Sequence, residues 1–212
     1  MTLTFEKLTN SPFSEHTHLI ANELGECLVI DPGGRAEEVL ALMDRAGWQP
    51  LAILLTHGHC DHVAGVMPIA EQTGVPIYLH PDDRQILATS AFYWNFIAKE
   101  AFFGPSWSDI TPIEATALTI GGFNIQVLQT PGHTPGSCVF CINDIVICGD
   151  TFFRGTLGRT DLVGGDKARL VETIAALPPF DGARAFLPGH GPIFTADDLL
   201  AHNTEFTKLR AI

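Results

Sequence analysis

The stretch "LAILLTHGHCDH", residues 51–62, joins an unbroken apolar run to a crowd of ionisable side chains. "LAILL" has the length of a strand and no polar alternation, so it belongs inside a sheet covered on both faces. His57, His59, Asp61 and His62 follow at once. Crowding imidazoles and a carboxylate at the end of a buried strand costs free energy unless something satisfies them. The fold must therefore cover a sheet on two sides and leave a polar centre at one of its edges.

The rest of the chain repeats that theme. "THLIAN" and "CLVID" read as strands turning near Gly25, and "AEEVLALMDRAG" as a helix stopped by Gly47. "DHVAGVMPIAEQTG" predicts one helix, capped by Asp61 and closed by Gly74, before the strand "VPIYLH". In the second half "ALTI", "FNIQVLQT", "SCVFCI" and "DIVICGD" predict strands separated by "GG", "PGHTPG" and "ND" turns. "DKARLVETIAAL" follows as a helix, "ARAFLPGHG" as a further segment, and a final helix begins near Thr195. Two strand-rich halves with flanking helices predict two packed sheets with helices outside, a layered α/β architecture. No linker or short repeat interrupts the 212 residues, so a single domain over 1–212 is expected.

Composition narrows the partners. Acidic side chains outnumber basic ones 24 to 12, a net charge of −12, which opposes an electrostatic grip on nucleic acid. No run of apolar residues is long enough for a membrane span, and the charged start "MTLTFEKLTN" has no apolar signal core. The five cysteines are an odd set within mostly apolar runs, which fits reduced thiols and a cytoplasmic location. Cys138 and Cys141 lie in one strand and point to opposite faces, so no redox pair is expected. A small molecule is the expected partner.

Three more polar residues follow apolar runs in glycine-rich turns: His133 in "QTPGHTPGS", Asp150 in "VICGDTFF" and His190 in "FLPGHGP". With the first cluster they make five imidazoles and two carboxylates. Such donors suit zinc, iron(II) or manganese. Seven ligands exceed one tetrahedral site and fit two ions sharing a carboxylate. His16, His18, His80 and His202 have no such company, and Cys60 is expected beside the metals rather than on them. "AFYWNFIAKEAFFGPSW" crowds Phe92, Tyr93, Trp94, Phe96, Phe102, Phe103 and Trp107 together. Core and loop packing is the first reading of that segment, with a pocket wall or subunit contact as the alternative.

At these residues the sequence resembles the metallo-β-lactamase superfamily. "THGHCDH" matches its T-H-x-H-x-D-H signature, and "DPGG", "PGHTPGS", "GDTFF" and "PGHG" follow in the family's order. The resemblance implies an αββα four-layer sandwich with the site along one edge of the sheets. It also implies His57, His59 and His133 on one divalent metal ion and Asp61, His62 and His190 on a second, bridged by Asp150, with zinc expected first. "GDTFFRGTLGRTDLVGGD" is similar to small glyoxalase II-type (hydroxyacylglutathione hydrolase-like) enzymes.

That branch implies hydrolysis of a small thioester, such as S-lactoylglutathione, by a metal-bridging hydroxide that Asp61 holds. A thiolate leaves readily, which suits a site with no obvious general acid. Arg159 falls where glyoxalase II has a basic residue that contacts glutathione. Asp161, however, stands where the larger enzymes have a tyrosine, and their C-terminal helical glutathione-binding domain is not expected here. Arg159 could equally pair with Asp161. Persulfide dioxygenase is the nearest rival, with one iron on the equivalents of His57, His133 and Asp150; a lactonase is another. "PGHG" around His190 resembles the hydrolase form. A metal-binding protein with a vestigial site is disfavoured because all seven ligand positions are filled.

Overall fold

In the computed structural model, which describes residues 2–210, the apolar runs pair into two sheets. The first holds, in spatial order, β1 (Leu3–Asn10), β2 (Glu15–Asn22), β3 (Glu26–Ile30), β4 (Gln49–Leu54), β5 (Ile77–Leu79) and β6 (Ile110–Pro112). β1 to β3 pair antiparallel, and β3 to β6 pair parallel. The second sheet runs β11 (Ala185–Pro188), β10 (Ile145–Gly149), β9 (Cys138–Ile142), β8 (Phe123–Gln129) and β7 (Ala117–Ile120). β10 and β11 are parallel and the other neighbours antiparallel. Parallel neighbours need crossovers. α1 (Ala36–Ala46), α3 (Val66–Thr73), α4 (Arg84–Ile97) and α5 (Lys167–Ala176) supply them.

Alternation along the strands sets the layers. Ile20, Leu28, Ile30 and Leu54 of the first sheet meet Phe123, Phe140, Ile145 and Leu187 of the second in a buried inner core. Their neighbours Leu19, Val29, Ile53 and Leu55 face the opposite way, onto Val39 and Met43 of α1 and Ile69 of α3. On the far side Val146, Cys148 and Phe186 pack against Leu170 and Ile174 of α5. Leu199 of α6 (Ala196–His202) and Phe206 of α7 (Thr204–Arg210) close that layer. The result is the expected αββα sandwich, and β4 is covered on both faces as its composition requires. Cys138 and Cys141 face opposite sides of the second sheet, and all five cysteines are free.

Several elements depart from expectation. β1, an edge strand whose partly exposed pattern gives no clear alternation, pairs along its whole length with β2. The helix expected from Asp61 to Gly74 is two: α2 (Cys60–Val63) and α3. They part at Gly65, where a Cβ would stand 2.9 Å from the backbone of Gly34, and where Gly65 N–H donates to Pro32 O at 2.9 Å. The "PGG" turn thus docks into the break. His59, not Asp61, is the N-cap residue of α2, and its side chain makes no capping bond. Thr195 does open the final helical segment through a capping box with Asp198, but Asn203 divides that segment. The buried Asn203 amide accepts from Phe206 N–H and donates to Phe153 O and Thr156 O, both at 2.9 Å.

Candidate metal centre

All seven proposed ligands come to one edge of the sandwich. His57 and His59 leave the end of β4, Asp61 and His62 open α2, and His133 lies between β8 and β9. Asp150 and His190 follow β10 and β11 directly. The rings of His57, His59 and His133 stand 4.7–4.8 Å apart, centroid to centroid, at interplanar angles of 81–88°. Three imidazoles edge-on to one another converge on a point, as ligands of one ion do.

Asp61, His62 and His190 form a second triplet whose ligand atoms lie within 4.8 Å of one another. Asp150 stands between the triplets: Oδ2 is 3.6 Å from His133 Nε2 and 3.5 Å from His190 Nε2, while Oδ1 is 3.6 Å from His62 Nε2. Asp31, His57 and His62 also approach one another closely. Asp31, however, has its oxygens engaged by Thr56 and by His62 Nδ1, so it supports the ligands from behind.

The donor atoms fit a metal. His57 Nε2, His62 Nε2 and Asp150 Oδ1 are buried with no hydrogen-bond partner, a costly state that coordination relieves. Hydrogen bonds behind the rings assign their tautomers. His62 Nδ1–H donates to Asp31 Oδ2 at 3.0 Å and His133 Nδ1–H to Arg159 O at 2.7 Å. His57 Nδ1 lies 3.1 Å from Thr56 Oγ1, which itself donates to Asp31 Oδ2 at 2.6 Å. Each of these rings therefore turns the lone pair of Nε2 to the centre. His59 Nδ1 and His133 Nε2 are 2.9 Å apart, close to the spacing of about 3.3 Å between tetrahedral ligands of one zinc ion.

Charge within the cluster follows burial. Burial, reinforced by His62, holds His57 well below the usual imidazole range, and burial with His133 lowers His59 to about 4. Both rings are neutral, as metal ligands must be. Burial works against charge on Asp61 and His62 too, yet their mutual attraction, with His190 and Asp150, keeps Asp61 low and raises His62. Burial and the Asp61 charge push the Cys60 thiol up to about 12, so Cys60 flanks the centre as a neutral thiol.

The sequence assigns no site role to four supporting residues, although Asp31 opens the "DPGG" motif. Asp31, at φ 47°, also accepts from Thr56 N–H at 2.7 Å. The buried Asp83 accepts from Gly58 N–H at 2.7 Å, Thr134 Oγ1–H at 2.8 Å and Gly136 N–H at 2.6 Å. It thereby ties the His57–His59 loop to the His133 loop. His16 and His18, which have no ligand-like company in the sequence, donate from Nε2 to Gly191 O at 2.7 Å and Pro188 O at 2.9 Å. They hold the turn that carries His190. Within that turn a Cβ on Gly189 would come 2.3 Å from Asp150 Oδ1, so only glycine lets the two sheets' ligands meet.

A cleft of about 690 Å³ opens over His59, Asp61, His133, Asp150 and His190. The aromatic segment divides between the readings expected for it. Trp94 is buried and Phe102 packs on the core, Tyr93 and Ile97 line the cleft, and Phe92, Phe96 and Phe103 are exposed. Arg159 lines the cleft, yet its Nε and Nη2 donate to both oxygens of Asp161, at 2.7 and 2.8 Å.

A four-layer sandwich with two triplets of nitrogen and oxygen donors along one edge defines a metal-binding fold of the hydrolase kind. The metallo-β-lactamase superfamily model matches residues 11–190, and the chain belongs to that superfamily, whose members are mostly metal-dependent hydrolases. The chain is 32% identical to the "Probable metallo-hydrolase YqgX" of Bacillus subtilis over 196 residues, covering 90% of this chain and 91% of that one. It is 30% identical to the "Hydroxyacylglutathione hydrolase GloC" of Haemophilus influenzae, covering 91% and 93%. Among solved structures, the BLEG-1 B3 metallo-β-lactamase superposes with a TM-score of 0.84 at 32% identity, covering 96% and 100%. TTHA1623 in a di-iron-bound form superposes at 0.78 and 36%, covering 94% and 98%. Among the described residues no helix is long and apolar enough to cross a membrane.

Proposed function

We propose that the protein is a binuclear metallohydrolase of glyoxalase II type that cleaves a small thioester. The observation that carries this reading is the position of Asp150 between two complete donor triplets. His57, His59 and His133 would hold one divalent ion and Asp61, His62 and His190 the other, with Asp150 shared. The likeness to GloC and to the di-iron form of TTHA1623 supports the same reading. The donor set suits zinc, iron(II) or manganese, and zinc is our first choice. When bound, such a pair supplies hydroxide near neutral pH and an acid site for a carbonyl oxygen.

The chain's own residues supply the rest. Asp61 faces the cleft with Oδ2 3.2 Å from His190 Nε2, and its depressed pKa keeps it an acceptor. It orients the attacking water by accepting one of its hydrogens. The cleft walls hold the thioester carbonyl over the donors and keep bulk water from the reacting carbon. The departing thiolate needs little protonation, which matches a cleft whose one thiol, Cys60, is held neutral.

Metal analysis of the purified protein, with parallel assays of S-lactoylglutathione hydrolysis and persulfide-dependent oxygen uptake, tests the proposal. It predicts two ions per chain and thioester cleavage without oxygen consumption. One iron per chain with oxygen uptake would overturn it in favour of a dioxygenase.

A further inference from the structure

We infer that the cleft accepts a thioester whose thiol arm is neutral and apolar, and that Asp161 sets this preference by occupying Arg159. The inference rests on the thioester reading above and specifies its substrate. Part of the cleft wall is built by Phe13, Tyr93, Ile97, Phe153, Leu162 and Val163. Ile97, Leu162 and Val163 are 52%, 41% and 47% exposed, large apolar side chains left in water around one mouth. Such a cluster beside a cleft marks a surface that an apolar group covers. The volume of about 690 Å³ is that of a small-molecule site.

Charge points the same way. Among the described residues lining the cleft, Arg159 is the sole arginine or lysine. The Nε–Nη2 face of its guanidinium is filled by the Asp161 carboxylate, a bidentate arrangement that leaves the pair with no net charge. The other carboxylates of the wall, Asp61 and Asp150, belong to the metal set. A glutathione arm brings two carboxylates and one ammonium, and finds no free cation here. To reach Arg159 it must displace Asp161 or take the remaining Nη1 side of the guanidinium, and either way its carboxylate stands beside that of Asp161. An aromatic or aliphatic arm meets the apolar wall, beside the hydroxyls of Thr89, Ser90 and Thr156, and sets no charge against Asp161.

The test compares two thioesters with the same lactoyl group, S-lactoylglutathione and S-lactoyl benzyl mercaptan, on the metal-loaded protein. The benzyl thioester is expected to show about tenfold or greater kcat/KM, through a lower KM, since each tenfold is about 1.4 kcal/mol of apolar contact. Calorimetric titration of the neutral, uncleavable ketone 4-phenyl-2-butanone against S-methylglutathione gives a readout free of turnover. The ketone is expected to bind more tightly. Asp161→Asn frees Arg159 and should narrow the preference about threefold, the scale of an exposed ion pair. Val163→Glu, at an exposed position, should raise KM for the benzyl thioester. A glutathione thioester cleaved as well as the benzyl one, or a preference that D161N leaves unmoved, would overturn the inference while the thioester reading stands. Cleavage of neither substrate by protein carrying two metals would instead overturn the thioester reading.

Discussion

The floor and the mouth of the cleft are built by opposite means. On the floor, three of the five ligand rings lean on a second group: His62 on Asp31, His57 on Thr56, His133 on the Arg159 carbonyl. Asp83 and Asp31 are themselves buried and accept several hydrogen bonds each. At the mouth, Arg159 and Asp161 are 60% and 70% exposed, and the apolar side chains around them touch water. The floor is over-determined and fixes chemistry; the mouth is lightly held and sets which substrate enters. Within one fold, this separation lets the same metal-binding edge serve different substrates.

Substitutions should expose that contrast. Asp150→Ala removes the shared carboxylate, and kcat/KM should fall by more than about a hundredfold with loss of metal, read by steady-state assay and metal analysis. Asp31→Ala frees His62 Nδ1 and should weaken metal affinity about 10- to 100-fold, measured by competition with a chelator. Asp83→Asn leaves three buried donors competing for a poorer acceptor. It should lower stability by about 2–4 kcal/mol, seen as a shifted urea midpoint. At the mouth, Ile97→Ser at the exposed end of α4 should change stability by no more than about 0.5 kcal/mol. A large loss there would erase the distinction between the regions.

Acid adds a further contrast. Burial lowers His18 to about 3, so the folded ring stays neutral while the unfolded one titrates near its ordinary 6.5. Between those values the unfolded chain binds the extra proton. The contribution is therefore full above about pH 6.5 and declines as pH falls toward 3, at up to about 1.4 kcal/mol per unit. In metal-free protein, His18→Gln should reduce the slope of stability against pH in that window by close to one proton, measured by urea unfolding at a series of pH values. An unchanged slope would place His18 outside the supporting layer.

What was legible in the sequence divides along the same line. The seven ligand positions stood out because each follows an apolar strand in a glycine-rich turn, where a lone histidine or aspartate has no folding role. The two-sheet layering was readable from strand-length apolar runs flanked by helical patterns. Asp31 and Asp83 were not, because their partners lie 25 to 53 residues away and neither "DPGG" nor "HPDD" announces a buried acceptor. His16 and His18 grip carbonyls 175 and 170 residues distant, contacts that only the finished sandwich creates. Asp61 looked like a helix cap because its neighbours have helical periodicity. The approach of Gly34 to Gly65, a tertiary contact, breaks that helix, and because α2 starts at Cys60 after the N-cap His59, Asp61 lies in its first turn rather than at its cap.

The account turns on Asp150 joining two sites, and metal-edge X-ray absorption on the reconstituted protein tests this most directly. It predicts two ions per chain with a metal–metal distance of about 3.5–4 Å, lost in Asp150→Ala. A single ion per chain under excess metal, with no metal scatterer at that distance, would contradict it.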